Sequence, residues 1–313
     1  MFKNKTVLYH FIAILTVAIW GVTFISTKIL LNNGLTSVEI FFYRFVLAYF
    51  CALFISHDKF RANTLKDEFL FFLCGLCGGS LYFIAENTAL EKTMAANVSL
   101  IICTAPVITA VLARCFDKEP LPGNFFFGSI IALLGVALVV FNGSIVLKVS
   151  PLGDLLTLFA AIMWAFYCLL LKRLSQSYST LFITRKVFYY GVVSLFVYFI
   201  FHPLNVNAEL LSRPEVYLNL LFLGIFASML CYLMWNAAVN VLGVSQTANY
   251  IYVVPLVTIL TAAVFLDEPV TVASVVGAVG IIGGVYIAEK GSLKRRFLEK
   301  LKRGASLGRN SDI

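Results

Sequence analysis

Long apolar runs follow one another with little pause from residue 8 to residue 289, and no other feature restricts the fold as severely. Reading by apolar length and polar breaks gives ten: 8–31, 38–56, 69–89, 94–116, 123–142, 152–172, 181–201, 216–238, 244–266 and 271–289. Each is close to the roughly 20 residues that carry a helix across a bilayer. The runs are continuous rather than alternating, which excludes barrel strands, and lipid offers the backbone of an open strand no partners. With 60% apolar and 13% charged residues, the composition lies outside the soluble class, which has about 45–50% and 25%. The seven cysteines (51, 74, 77, 103, 115, 168 and 231) all fall inside apolar runs and read as small hydrophobes. An all-α integral membrane protein is the expectation. The first run is too long for a cleaved signal and is expected to stay as the first span.

Cationic residues orient such a bundle, because they are retained on the cytoplasmic side. With the N-terminus inside, 17 of the 24 Lys and Arg fall in cytoplasmic segments, eight of them in the tail after residue 289. Only Lys92, Lys148 and Arg213 fall outside, while Lys28, Arg44, Arg185 and Lys186 lie in or at the mouths of spans. Both termini are therefore expected in the cytoplasm. The basic tail reads as a topology anchor on anionic lipid rather than a nucleic-acid contact, since no aromatic–basic interleaving accompanies it.

The chain also repeats itself. Shifted by 149 positions, Glu86-Asn-Thr-Ala-Leu-Glu-Lys-Thr-Met-Ala-Ala-Asn97 meets Trp235-Asn-Ala-Ala-Val-Asn-Val-Leu-Gly-Val-Ser-Gln246. The same shift carries Pro106 to Pro255, Glu119 to Glu268, Gly128 to Gly277 and Gly135 to Gly284. Upstream, a shift of 144 carries Trp20 to Trp164 and Lys28 to Lys172. Five helices per half put the second half into the membrane upside down. Residues 1–142 form the first repeat, 143–289 the second, inverted one, and 290–313 the basic tail. Inverted repeats around a midplane cavity are the mark of secondary transporters.

Trp20-Gly21 in the first run, Gly153-Asp-Leu-Leu and Ala-Ala-Ile-Met-Trp164-Ala opening the second half, and the two Pro-centred helices ending in Glu-Pro together form a dispersed pattern. It resembles the EamA family of the drug/metabolite transporter superfamily over about residues 8–289. The resemblance implies ten helices around a central cavity, in an inner (plasma) membrane carrier, often an exporter, of amino acids, related metabolites or drugs. One departure is that Glu86 stands where the second half has Trp235, which leaves a charge on one side only.

Ionisable groups inside spans are costly and ask for a reason. Lys28, Arg44 and Glu86 share the outer half of the membrane. Glu86 is expected to pair with Lys28 or Arg44 in one state and to lose that partner to a substrate ammonium or a proton in the other; a permanent structural pair is the competing reading. Asn87, Asn97, Asn236, Gln246, Asn249 and Tyr250 are further cavity candidates. Trp20, Tyr82, Trp164 and Trp235 are candidates to stack on a ring or a protonated amine, against the plainer role of packing. Pro106 and Pro255 each remove a backbone hydrogen bond mid-span. They bend their helices, either to expose carbonyls or only for packing.

No catalytic residue, cofactor or metal is expected. Cys74-x-x-Cys77 has no second ligand pair nearby, and no phosphate-cradling Gly-x-x-x-x-Gly-Lys-Ser/Thr run occurs. The reading is a secondary transporter of amino acids or related small metabolites, working by alternating access, an exporter, with no nucleic-acid partner. Proton coupling and facilitated diffusion both stay open. The alternatives are a nucleotide-sugar or drug carrier of the same superfamily and, third, a membrane-embedded lipid enzyme, for which the sequence offers no acid–base or metal cluster.

Overall fold

A computed structural model describes residues 2–57, 60–93, 95–118, 121, 123–141, 150–202, 204, 207–265 and 271–288. The basic tail and both Glu-Pro motifs lie outside the described residues. Among the described residues there is helix and no strand. Helix occupies every apolar run. The elements are α1 (Phe2–Asn32), α2 (Ser37–Ile55), α3 (Leu65–Lys92), α4 (Ala95–Ile102 and Ala105–Asp117) and α5 (Phe125–Phe141). They continue with α6 (Pro151–Leu174), α7 (Thr180–Val193 and Phe196–Phe201) and α8 (Pro214–Leu242). The last two are α9 (Val244–Ala248, a 3-10 stretch Asn249–Val253, then Val254–Phe265) and α10 (Val272–Ala288).

Among the described residues, seven helices are long and apolar enough to cross a membrane, and α5 and α10 are shorter apolar helices. Large apolar side chains such as Phe54, Phe201 and Val272 are more than 70% exposed around the bundle. So much outward apolar surface suits a lipid solvent and not water. Local signals set the helix starts. Thr36 closes a capping box with Glu39, and Thr64, Ser150 and Ser179 each cap the next helix through their side-chain oxygen. Gly34 turns the chain between α1 and α2 at φ 97°, a left-handed conformation that glycine adopts without strain.

Two helices carry matched irregularities. α3 contains a π-turn over Leu76–Ser80, where Gly79 leaves helical geometry at φ −129°, ψ −107°. α8 contains a longer one over Phe222–Leu230. A π-turn frees a backbone carbonyl, and each is used. Tyr232 donates its hydroxyl to Gly78 O, and Trp20 Nε1 donates to Ala227 O at 3.0 Å. Residues 78 and 227 are related by the 149-position shift.

Helices cross between the halves. The later part of α3 packs along α6, and the later part of α8 packs along α1. At the other side α5 and α10 meet through glycines. A Cβ on Gly128 would stand 2.6 Å from Gly284 O, one on Gly284 2.6 Å from Gly128 O, and one on Gly135 2.6 Å from Gly277 O. Gly128 facing Gly284 and Gly135 facing Gly277 makes the two helices antiparallel. Small residues of this kind let membrane helices approach backbone to backbone.

Candidate functional site

All three tryptophans of the chain converge in the middle of the bundle. Trp20 of α1 and Trp164 of α6 meet edge to face at 5.2 Å between ring centroids. Trp235 of α8 lies 5.0 Å from Trp20 and 5.7 Å from Trp164. Trp20 and Trp164 form one wall of a central cavity. Ile102 and Ala105 close it from α4, and Ile251 and Val254 from α9. These are residues four and one before Pro106 and Pro255, and the 149-position shift superposes them. Each proline follows an interruption, the break at 103–104 in α4 and the 3-10 stretch in α9. The bends therefore bring side chains at these breaks to the cavity.

The polar part of the cavity is not symmetric. Arg44, Tyr82 and Glu86 line it, all from the first half; the shifts that superpose the halves carry Arg44 to Phe188 and Glu86 to Trp235. Glu86 is 8% exposed and Arg44 2%. Tyr82 donates its hydroxyl to Glu86 Oε1 at 2.7 Å. Arg44 donates from Nε to Ser228 Oγ at 2.9 Å, and its guanidinium carbon lies 4.2 Å above the Phe83 ring. Among the described residues, the ion pairs closer than 4.0 Å are Lys172–Asp117, Arg173–Asp117 and Lys186–Glu68, so Arg44 and Glu86 do not form one. Two opposite charges thus face the same space without touching. Each has a neutral hydrogen-bond partner, Tyr82 for Glu86 and Ser228 for Arg44, and no charged one within 4.0 Å among the described residues offsets its lost hydration.

The other expected residues separate into distinct places. Lys28 is exposed at the end of α1 and donates to Leu90 O at 2.9 Å, so it pairs with a carbonyl and not with Glu86. Asn87 and Asn236 are both 1% exposed and act as struts. Asn87 donates to Ser37 O at 3.2 Å, while Asn236 accepts from Tyr167 at 2.6 Å and donates to Thr184 Oγ1 at 2.9 Å. Trp235 stands behind the cavity wall, against Trp20 and Trp164. Asn97 donates to Thr93 Oγ1 at 3.2 Å in the first turns of α4. Gln246 and Asn249 are buried where α9 begins, and Tyr250 shares a hydrogen bond with His10 of α1. None of these lines the cavity described here. Thr23, Phe24, Phe83 and the four aliphatic residues beside the prolines were missed. The proline-relative spacing shared by both halves was the available signal for the last four.

The strut role of Asn236 has a measurable consequence. Asn236→Ala leaves the buried Tyr167 hydroxyl without its acceptor, about 1–3 kcal/mol, while the Thr184 hydroxyl keeps its bond to Thr180 O at 2.8 Å. Thermal unfolding followed by fluorescence is expected to shift down while the order of ligand preference stays as in the parent.

A sequence model of the EamA-like transporter family matches residues 7–141 and again residues 151–289. The chain is 28% identical over 287 residues to a Bacillus subtilis protein named "Uncharacterized transporter YdfC", covering 90% of this chain and 91% of that one. It is 25% identical over 284 residues to an Escherichia coli protein named "Probable amino-acid metabolite efflux pump", covering 88% and 93%. A crystal structure shares the fold at a TM-score of 0.73 and 17% identity, over 94% of this chain and 99% of that one. An interleaved helical bundle with a buried central cavity, matched by the same family model once in each half, makes this chain a member of the EamA-like transporter family.

Proposed function

We infer that this transporter carries zwitterionic amino acids and closely related small metabolites out of the cell, across the inner (plasma) membrane, by alternating access. One observation carries the reading: a buried carboxylate and a buried guanidinium face one aromatic-walled cavity without pairing. A free amino acid brings an ammonium for Glu86 and a carboxylate for Arg44, and its side chain lies on Trp20 and Trp164. Charge-assisted hydrogen bonds of this kind are the stronger class, and a guanidinium suits a carboxylate in geometry. The name of the Escherichia coli relative points the same way.

The architecture behind this reading is ten crossings arranged as two inverted five-helix repeats, 1–142 and 143–289, with both termini cytoplasmic. The antiparallel glycine contact of α5 with α10, the paired π-turns and the double family match support it. Two interleaved halves of near-equal shape can exchange arrangements, which alternates the side on which the cavity opens. The inventory of charge disfavours a nucleotide-sugar. A diphosphate needs excess cation, whereas the cavity presents one cation and one anion. Lys172 and Lys186, two further cations of the bundle, are held by Asp117 and Glu68.

Counterflow in liposomes with labelled aromatic, small neutral and basic amino acids tests this, since it requires no ion gradient. Accumulation of neutral zwitterions, strongest for aromatic ones, is expected. Flat traces for every amino acid would discard the reading. Trp164→Ala is expected to raise the KM for an aromatic amino acid about tenfold, the equivalent of about 1.4 kcal/mol of ring contact, and to change a small neutral one far less.

A further inference from the structure

Opposite charges that line one poorly hydrated space attract strongly, because little water screens them. Arg44 and Glu86 line the central cavity together and yet do not pair. Reach does not separate them. The Arg44 guanidinium carbon lies 4.2 Å above the ring of Phe83. Phe83 and Glu86 are three residues apart on α3, and side chains at that spacing are neighbours on one helix face. A turn about the Arg44 side-chain bonds therefore carries the guanidinium from the ring toward the carboxylate.

Two neutral hydroxyls oppose that turn. Tyr82, four residues before Glu86 on α3, donates to Oε1 at 2.7 Å and holds the carboxylate within the first half. Arg44 is held from the other half, where Nε donates to Ser228 Oγ at 2.9 Å. Ser228 is 0% exposed and belongs to the π-turn Phe222–Leu230 of α8. The matching place in the α3 π-turn, 149 positions earlier, is Gly79, and the residue 144 positions after Arg44 is Phe188. The first half builds its π-turn without this hydroxyl, so forming such a turn does not demand one. The hydroxyl occurs in the half that has a guanidinium to hold.

We propose that Ser228 is a positioning residue that keeps the two charges of the cavity apart. With Nε tied back to α8, the outer edge of the guanidinium is left for a carboxylate, and Glu86 is left for an ammonium. Without the hydroxyl, Arg44 swings past Phe83 onto Glu86, and the site neutralises itself before a ligand arrives. The role rests on the zwitterion reading of the cavity, since a zwitterion is the ligand that separated charges receive.

The test titrates full-length purified protein with phenylalanine, phenethylamine and 3-phenylpropionate, with binding read by intrinsic fluorescence and folding of each variant checked by size-exclusion. The parent examines the underlying reading by itself. Three equal affinities in the parent would discard that reading and this proposal together. Given a parent that prefers phenylalanine, Ser228→Ala is expected to weaken phenylalanine about tenfold, the effect of one lost hydrogen bond to a charged group. Phenethylamine is expected to weaken by a similar factor, although it has no carboxylate for Arg44 to meet. Phenethylamine binding to Ser228→Ala at the parental Kd overturns the proposal and leaves the zwitterion reading standing. A second arm removes the opposite charge. In a Glu86→Gln protein Arg44 has no carboxylate to close on, so adding Ser228→Ala is expected to change the Kd of 3-phenylpropionate less than about threefold, the non-additivity of two residues that act through one contact. A loss of about tenfold there would also overturn the proposal, because Ser228 would then aim or pack Arg44 regardless of Glu86.

Discussion

Glu86→Gln is expected to abolish counterflow of neutral amino acids, with initial rates at least about 30-fold lower, because losing one member of a buried charged contact typically removes 2 kcal/mol or more. The substitution keeps the shape of the side chain, and the amide oxygen still accepts from Tyr82, which lies at 2.7 Å from Glu86 in the parent. The fold should therefore persist, and size-exclusion of the purified variant checks that. Selectivity should also turn over. With Glu86 neutral, Arg44 is the remaining charge in the cavity, so a simple carboxylate such as 3-phenylpropionate gains affinity where the zwitterion loses it. A Glu86→Gln protein exchanging zwitterions at the parental rate would remove the carboxylate from substrate recognition.

The second large effect concerns assembly. Gly135→Val is expected to strip the protein of most of its folded yield and to lower the unfolding temperature of whatever remains. Even a single Cβ at this position would stand 2.6 Å from Gly277 O and from Ile281 N, both backbone atoms that cannot move aside like a side-chain tip. Overpacking typically costs about 1–3 kcal/mol where side chains can yield, so backbone against backbone lies at or beyond the upper end. Gly283 provides the control on α10, away from that contact. A Cβ there meets nothing within 4 Å, so Gly283→Ala should unfold at the parental temperature. Fluorescence-detected size-exclusion after heating reads both variants. If Gly135→Val and Gly283→Ala behaved alike, the close contact of α5 with α10 would not be holding the halves together.

Much of this was legible before any coordinates. Apolar run length fixed the helices, because lipid leaves the backbone no other solution. Trp20 and Trp164 could be paired by the 144-position shift, and they do meet edge to face in one wall of the cavity. The repeat related Gly128 to Gly277 and Gly135 to Gly284, although that Gly128 meets Gly284 and Gly135 meets Gly277 needed the fold. What the residues could not reveal was direction within a helix. Asn87 is adjacent in sequence to Glu86, yet one turns to Ser37 as a strut and the other lines the cavity, a difference of about 100° around the helix axis. The π-turns were equally hidden, since no local signal marks either; the first lies where Gly78 packs against Tyr167, and a Cβ there would come within 2.3 Å of the ring. The pairing of Glu86 with a cation was an inference from depth alone. In the structure its hydrogen-bond partner is Tyr82, and Lys28, at similar depth, is directed to a carbonyl of α3.

Because all three tryptophans adjoin the cavity, intrinsic fluorescence of the purified transporter reports its occupancy directly. Titration with phenylalanine, phenethylamine and 3-phenylpropionate compares one ring with both charges, with the ammonium alone and with the carboxylate alone. Recognition by Glu86 and Arg44 together predicts a saturable change with phenylalanine at a Kd at least about tenfold below that of either analogue, as one lost charged contact is worth about 1.4 kcal/mol or more. Phenethylamine or 3-phenylpropionate binding as tightly as phenylalanine would contradict a zwitterion site.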